Sequence, residues 1–179
     1  MIVDLIRWVA DELSNVTTGV NALRTSVPRD GGDPAPTAVN VYDQTRDAWV
    51  ALGTILREKT GAGPMLLVSL HGEVDMPLET RAITTGWPRV EIAVRYVARN
   101  TTRDDLLRDA LQTLRCAQRV IANLFNVSPG TTLSRNGTRF ESPAAKLVPF
   151  TESLDGDEMV VGVLLLTFDA LAPWALDMA

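Results

Sequence analysis

Acid–base chemistry in this 179-residue chain would have to begin at its single histidine, His71. It stands in Ser69-Leu70-His71-Gly72-Glu73, where Glu73 could orient the imidazole as a general base, with Arg95 as a cationic partner. One titratable residue is not a constellation, and a histidine at a strand end is accounted for as a surface residue. The single cysteine, Cys116, excludes an internal disulfide, and one histidine with one cysteine is too small a ligand set for zinc. Cys116 falls in a helical stretch beside its apolar stripe, with nothing adjacent that would clearly lower its pKa. It therefore reads as a packed small residue rather than a reactive thiol.

The carboxylates invite a metal reading, and Asp104, Asp105 and Asp109 are the best group. Their place at a helix start explains them without one, because negative charge there complements the helix dipole and Asp104 can pair with Arg108 one turn on. Asp155, Asp157 and Glu158 flank a glycine and read as a solvated turn. Gly61-Ala62-Gly63-Pro64 lacks both the lysine and the spacing of a phosphate cradle, and reads as a turn into the strand at Met65. The residues thus predict no enzyme, no cofactor and no metal.

What remains is surface chemistry. Arg103, Arg108, Arg115 and Arg119 recur along one stretch and could meet phosphate, but more often mark a solvated or intersubunit face. The net charge of −5 argues against a long contact along DNA. Of four tryptophans, Trp8 suits a core, while Trp87 and Trp174 lie in segments poor in other core residues and suit an interface equally well. The candidate subunit or partner interface is therefore Trp87, Arg81, Arg115, Arg119 and Trp174.

The elements that must position these residues follow from periodicity. Val90, Ile92, Val94, Tyr96 and Ala98 alternate with Glu91, Arg95 and Arg99, as a half-buried strand requires. Leu107, Leu111, Leu114, Ile121 and Phe125 then recur at helical spacing, with Leu106, Ala110, Ala117, Val120 and Leu124 widening the stripe. Thr101 can cap that helix and Asp104 can complete a capping box. Ile2, Leu5, Ile6, Val9, Leu13, Val16, Val20 and Leu23 predict a first helix of about six turns, weakened at Thr17-Thr18-Gly19.

Short strands are expected near Val39 and Val41, at Met65 to Leu70, at Lys146 to Thr151 and at Met159 to Phe168. The last two are joined by a turn and form an antiparallel pair. VVGVLLLTF is apolar on both faces and belongs inside the sheet. Asn136-Gly137 favours a tight hairpin, and residues 44–63 read as helical or irregular. The expectation is an α/β chain of the α+β type, a mixed, mainly antiparallel sheet of about four or five strands packed against two long helices. Residues 1–179 form one domain, with long loops at about 27–37 and 73–88. Asp4, Arg7, Asp11 and Glu12 break the early apolar residues into a helical pattern rather than a secretory signal, and no run approaches a bilayer span. Synthesis in the cytosol is expected.

IVDLIRWVADEL, VEIAVRYVAR and LRDALQTLR, in this order of elements, resemble the tail terminator proteins of long-tailed bacteriophages. The resemblance implies a sheet packed on two helices and no enzymatic activity. It further implies a ring-shaped homo-oligomer, a hexamer, that caps the tail tube and ends its polymerisation. Its partners would be the tail tube protein and the head–tail connector, with genomic DNA passing through the lumen without sequence-specific binding and no membrane involved. The site would be the virion neck, after synthesis in the host cytoplasm. A head-completion or connector protein of the same neck is the near alternative. A small ligand-binding or enzymatic domain around His71 and a nucleic-acid-binding module are the remoter ones.

Overall fold

The computed structural model describes residues 2–28, 38–45, 64–72, 89–99, 103–126, 133–135, 138–140, 144–153 and 158–169. Their architecture is α+β. Helices α1 (Ile2–Ser14), α2 (Val20–Ser26) and α3 (Arg103–Asn126) accompany strands β1 (Asn40–Asp43), β2 (Met65–Leu70) and β3 (Arg89–Arg99). Four more strands follow α3: β4 (Leu133–Arg135), β5 (Thr138–Phe140), β6 (Ala144–Ser153) and β7 (Glu158–Asp169). The main sheet has five strands in the order β1-β2-β3-β7-β6, and β4 and β5 make a separate pair. β1 lies parallel to β2 and every other pairing is antiparallel, which is the mixed sheet expected. A parallel pair needs a long crossover. The helical or irregular reading of 44–63 falls on that crossover, and from residue 46 onward it lies outside the described residues.

β7 runs between β3 and β6, inside the sheet, as its two apolar faces require. Tyr96 opposes Gly162 while Val97 opposes Val160, so β7 carries Val161 as an extra residue. The β6–β7 ladder shifts register beside the same point, between Pro149 and Glu152. There residues 150 and 151 of β6 span the place of Val161 alone, so both ladders of β7 are irregular at the same point. β4 and β5 pair Arg135 with Thr138 across Asn136-Gly137, the hairpin expected there.

The long first helix is not formed. α1 stops at Ser14, and Val16, which continues the apolar stripe in sequence, is 93% exposed. Two local interactions end the helix. The Asn15 side-chain oxygen accepts from the Thr17 and Thr18 backbone N–H groups at 2.9 and 3.1 Å, offering the chain a turn instead of another helical repeat. Gly19 then passes so close to the preceding turn that a Cβ on it would lie 2.3 Å from the Asn15 carbonyl oxygen and 2.6 Å from that of Leu13. Its φ of −77° is ordinary, so close approach and not a left-handed backbone demands glycine here.

Helices and sheet meet in one core. Leu5, Ile6, Trp8, Val9 and Leu13 of α1, with Val20 of α2, pack on Leu66, Val68, Ile92, Val94, Tyr96, Leu164, Leu166 and Phe168 of the sheet. Trp8 meets Phe168 edge-on, ring centroids 6.3 Å apart and planes at 76°, and its indole N–H donates to Glu12 Oε1 at 3.1 Å. That geometry adds roughly 1 kcal/mol to the area the two rings bury.

α3 forms as periodicity requires, but its inward face is rotated from the expected one. Leu106, Ala110, Leu114, Ala117, Val120 and Ile121 are buried, whereas Leu107 is 40% exposed and Leu111 lies on the flank. The small alanines let the helix sit close to the sheet. Thr101 lies outside the described residues, as does the side chain of Asp104.

β3 also departs from its half-buried pattern. Ala93 and Val97, on the face with Arg95, are 0% and 1% exposed and cluster with Met65 and Val163. The sheet interior is therefore apolar on both sides.

Candidate functional site

His71 follows β2 directly, held by its backbone N–H on the Glu91 carbonyl oxygen at 2.9 Å. Its ring is half-buried at the strand end. Arg95 donates to the Ser69 hydroxyl across the β2–β3 pair, which gives each of these side chains a polar partner on an otherwise apolar face. Glu73 lies outside the described residues. Of the three groups a hydrolytic or acid–base site would need, the structure fastens Arg95 to Ser69 and brings neither to His71 by any described contact.

The carboxylates at the start of α3 lie along its surface. Asp105 is exposed and Asp109 half-buried, one turn apart on the same side of the helix. Among the described residues no three histidine, cysteine or acidic side chains come together in a way that could hold a metal ion.

Polar chemistry concentrates instead where α2 crosses α3. Arg24 of α2 is 4% exposed, and Tyr96, Gln112, Thr113 and Cys116 are equally enclosed. Gln112 donates its amide to the Val27 carbonyl oxygen just beyond α2. Burial, and next the negative charge of Asp109, hold the Tyr96 phenol far above its ordinary range, with Arg24 pulling the other way. Burial also pushes the Cys116 thiol up, opposed by Arg24 and Arg119. A neutral, enclosed thiol is a poor nucleophile. The Gln112 hydrogen bond to Val27 ties the end of α2 to α3.

Asn21 completes that anchoring and was not singled out by its sequence context. Its side-chain amide donates to the Val39 carbonyl oxygen and its oxygen accepts from the Val39 N–H, each at 2.9 Å. The side chain thus stands in for a neighbouring strand and fixes the approach to β1. An asparagine near the start of a seven-residue helix, where its helix propensity is poor, is the available signal.

Of the expected interface residues, Trp87, Arg81 and Trp174 lie outside the described residues. Arg115 and Arg119 are placed and exposed, and Arg108 is exposed with them. Spacings of seven and four residues put all three on one line along α3, within a narrow arc of the helix surface. That line is opposite Leu106, Ala110, Ala117 and Ile121, which enter the core. The candidate functional surface is this outer ridge of α3, with Leu107 and Gln118 exposed about a quarter-turn round the helix from it. It can bind by charge, and it holds no group suited to bond making. Among the described residues no helix is long and apolar enough to cross a membrane.

No family model matches the chain, and no curated protein matches it. Among solved structures, a protein whose name states no function is similar at a TM-score of 0.45 and 14% identity, over 95% of this chain and 96% of that one. Function has to be read from the chain's own residues.

Proposed function

We propose that the chain is a structural assembly protein of a long-tailed bacteriophage. In this reading it forms a ring, a hexamer, that caps the tail tube, ends its polymerisation and joins it to the head connector. DNA passes through the lumen without sequence-specific contact. The protein acts in the virion neck after synthesis in the host cytoplasm, and it has no enzymatic activity. One observation supports the reading above others: the three stretches that carry the family resemblance fall on α1, β3 and α3, the elements that build the core around a mixed five-stranded sheet.

The placed surface suits assembly better than catalysis. Exposed arginines line the helix away from the core, while the enclosed polar side chains serve packing between helices.

The test is the native mass of the purified chain over a concentration series, followed by addition of purified tail tubes. Closed rings that bind tube ends and halt tube growth are the expected result. Binding to the portal side instead would assign the connector role of the same neck. A chain that stays monomeric with both, or that loses its biological activity on His71→Ala with its assembly intact, would overturn the reading.

A further inference from the structure

We infer that β1 is a clasped cover strand. Side chains of α1 and α2 hold its two ends over the edge of β2, whose backbone would otherwise pair with the same strand of a second copy of this chain. β1 lies parallel to β2 at the end of the main sheet, with Asn40 opposite Met65 and Asp43 opposite Val68. A parallel ladder this short holds a strand loosely. Its two ends are nevertheless tied to the helix layer.

At the entry, Asn21 of α2 takes both backbone groups of Val39, donating to its carbonyl oxygen and accepting from its N–H at 2.9 Å each. At the exit, Asp43 Oδ1 accepts from the Thr45 backbone N–H at 3.0 Å and from the Thr45 hydroxyl at 2.6 Å. Arg7 of α1 donates its Nε–H to that same hydroxyl oxygen at 3.0 Å. The hydroxyl thus donates to the strand end and accepts from the helix, linking the two. Between the clasps, the Asn40 N–H donates to the Pro64 carbonyl oxygen at 3.1 Å and the Gln44 N–H to that of Val68 at 2.9 Å. Leaving β2 therefore means breaking with both helices, and β1 opens as a unit rather than fraying from one end.

What lies beneath gives the clasps their use. β2 reads MLLVSL, six residues without charge, proline or glycine. Such a segment adds strands readily, and a sheet edge that bears it recruits other chains when bare. β3 occupies one side of β2 and β1 the other, so release of β1 bares a row of β2 backbone N–H and C=O groups. A second copy brings the same uncharged strand to pair with it.

The experiment measures native-state hydrogen exchange and native mass for the wild type, Asn21→Ala, Thr45→Val and the double variant, with thermal unfolding as the fold control. Each clasp is read at the opposite end of β1. Asn21→Ala should speed exchange at Gln44, and Thr45→Val at Asn40, each by roughly tenfold, with the β3–β7 ladder unchanged. The double variant should form species heavier than the wild type as concentration rises. Within them the β2 edge amides should be protected again while those of β1 stay open. Acceleration confined to the substituted end would overturn the clasped unit. A folded double variant whose β1 opens, but whose mass follows the wild type at every concentration, would overturn the cover. If the double variant does not fold, Thr45→Val, which removes one hydroxyl from a half-buried turn, carries both comparisons with a smaller shift. The ring-forming reading stands or falls separately, because the wild-type species is the reference throughout.

Discussion

Two stretches of this chain carry nearly the same apolar rhythm and fold differently. Residues 2–23 and 103–126 both place aliphatic side chains at helical spacing, yet the second is one helix of 24 residues and the first is cut at Ser14. The difference lies in the backbone, not in the hydrophobic pattern. Within α3 no glycine, proline or asparagine interrupts the run before its last turn, and Ala110 and Ala117 sit close on the sheet with no β-branching to resist. After α1, Asn15 supplies an oxygen that captures two backbone N–H groups, and Gly19 permits a chain approach that no other residue fits. Apolar spacing reports which side of a segment is buried. It does not report where the segment stops.

The strongest way to break that comparison is Gly19→Ala. Three backbone atoms lie within 2.3–2.7 Å of the added Cβ, and backbone cannot swing aside as a flexible side chain can. A loss of about 3 kcal/mol or more is expected in urea unfolding, at the upper end of overpacking effects. A neutral result would mean that the break between α1 and α2 is a matter of weak helix propensity alone.

Asn21→Ala should come next. The substitution strips two hydrogen bonds from the backbone of Val39, whose side chain is 2% exposed, and leaves both backbone groups seeking other partners. About 2 kcal/mol is expected from unfolding curves. Replacing an exposed residue of the same helix, Thr25→Ala, should cost well under half of that. Equal losses would show that Asn21 acts through helix stability and not through its hold on β1.

Alkaline titration sharpens the contrast at the α2–α3 contact. The Tyr96 phenol is raised in the folded chain, chiefly by burial, from a reference value near 10. A raised acid contributes stability that is complete below the unfolded value and lost as pH climbs through and above it. Stability should hold from neutrality to about pH 9, then fall above about pH 10 as the unfolded phenol ionises and the folded one does not. Tyr96→Phe should flatten that decline, measured by denaturant unfolding at several pH values. An identical alkaline limb in the variant would assign the decline to other groups.

Much of this fold was open to reading because the relevant signal is local. The alternation of Val90 to Ala98, the capable strand at Met65 to Leu70 and the Asn136-Gly137 turn each announce their element within a few residues. Three features depend on partners far along the chain and leave a weaker trace. Asn21 meets Val39 eighteen positions away, Gln112 meets Val27 at a separation of 85, and the second buried face of β3 needs Met65 and Val163 brought beside Ala93 and Val97. The candidate surface was legible in half. Arg115 and Arg119 could be named from spacing, which also sets their line with Arg108, but that the line lies opposite the core depends on which face of α3 turns inward, and the leucine spacing misplaced that face.

Position along α3, rather than rotation, yields the smallest expected effect, at Leu107. Leu107 and Leu114 both belong to the apolar repeat, so spacing alone treats them as equivalent. In the folded chain Leu114 is 0% exposed and Leu107 is 40% exposed. Leu114→Ala should therefore cost about 2–5 kcal/mol through lost burial and the cavity left behind. Leu107→Gln should change monomer stability by less than about 0.5 kcal/mol, because its side chain is largely in water already. An unfolding curve indistinguishable from that of the wild type is the expected result for Leu107→Gln. A large loss of monomer stability would instead show that Leu107 is covered in the folded chain as Leu114 is, from which it stands seven residues and about 20° round the helix.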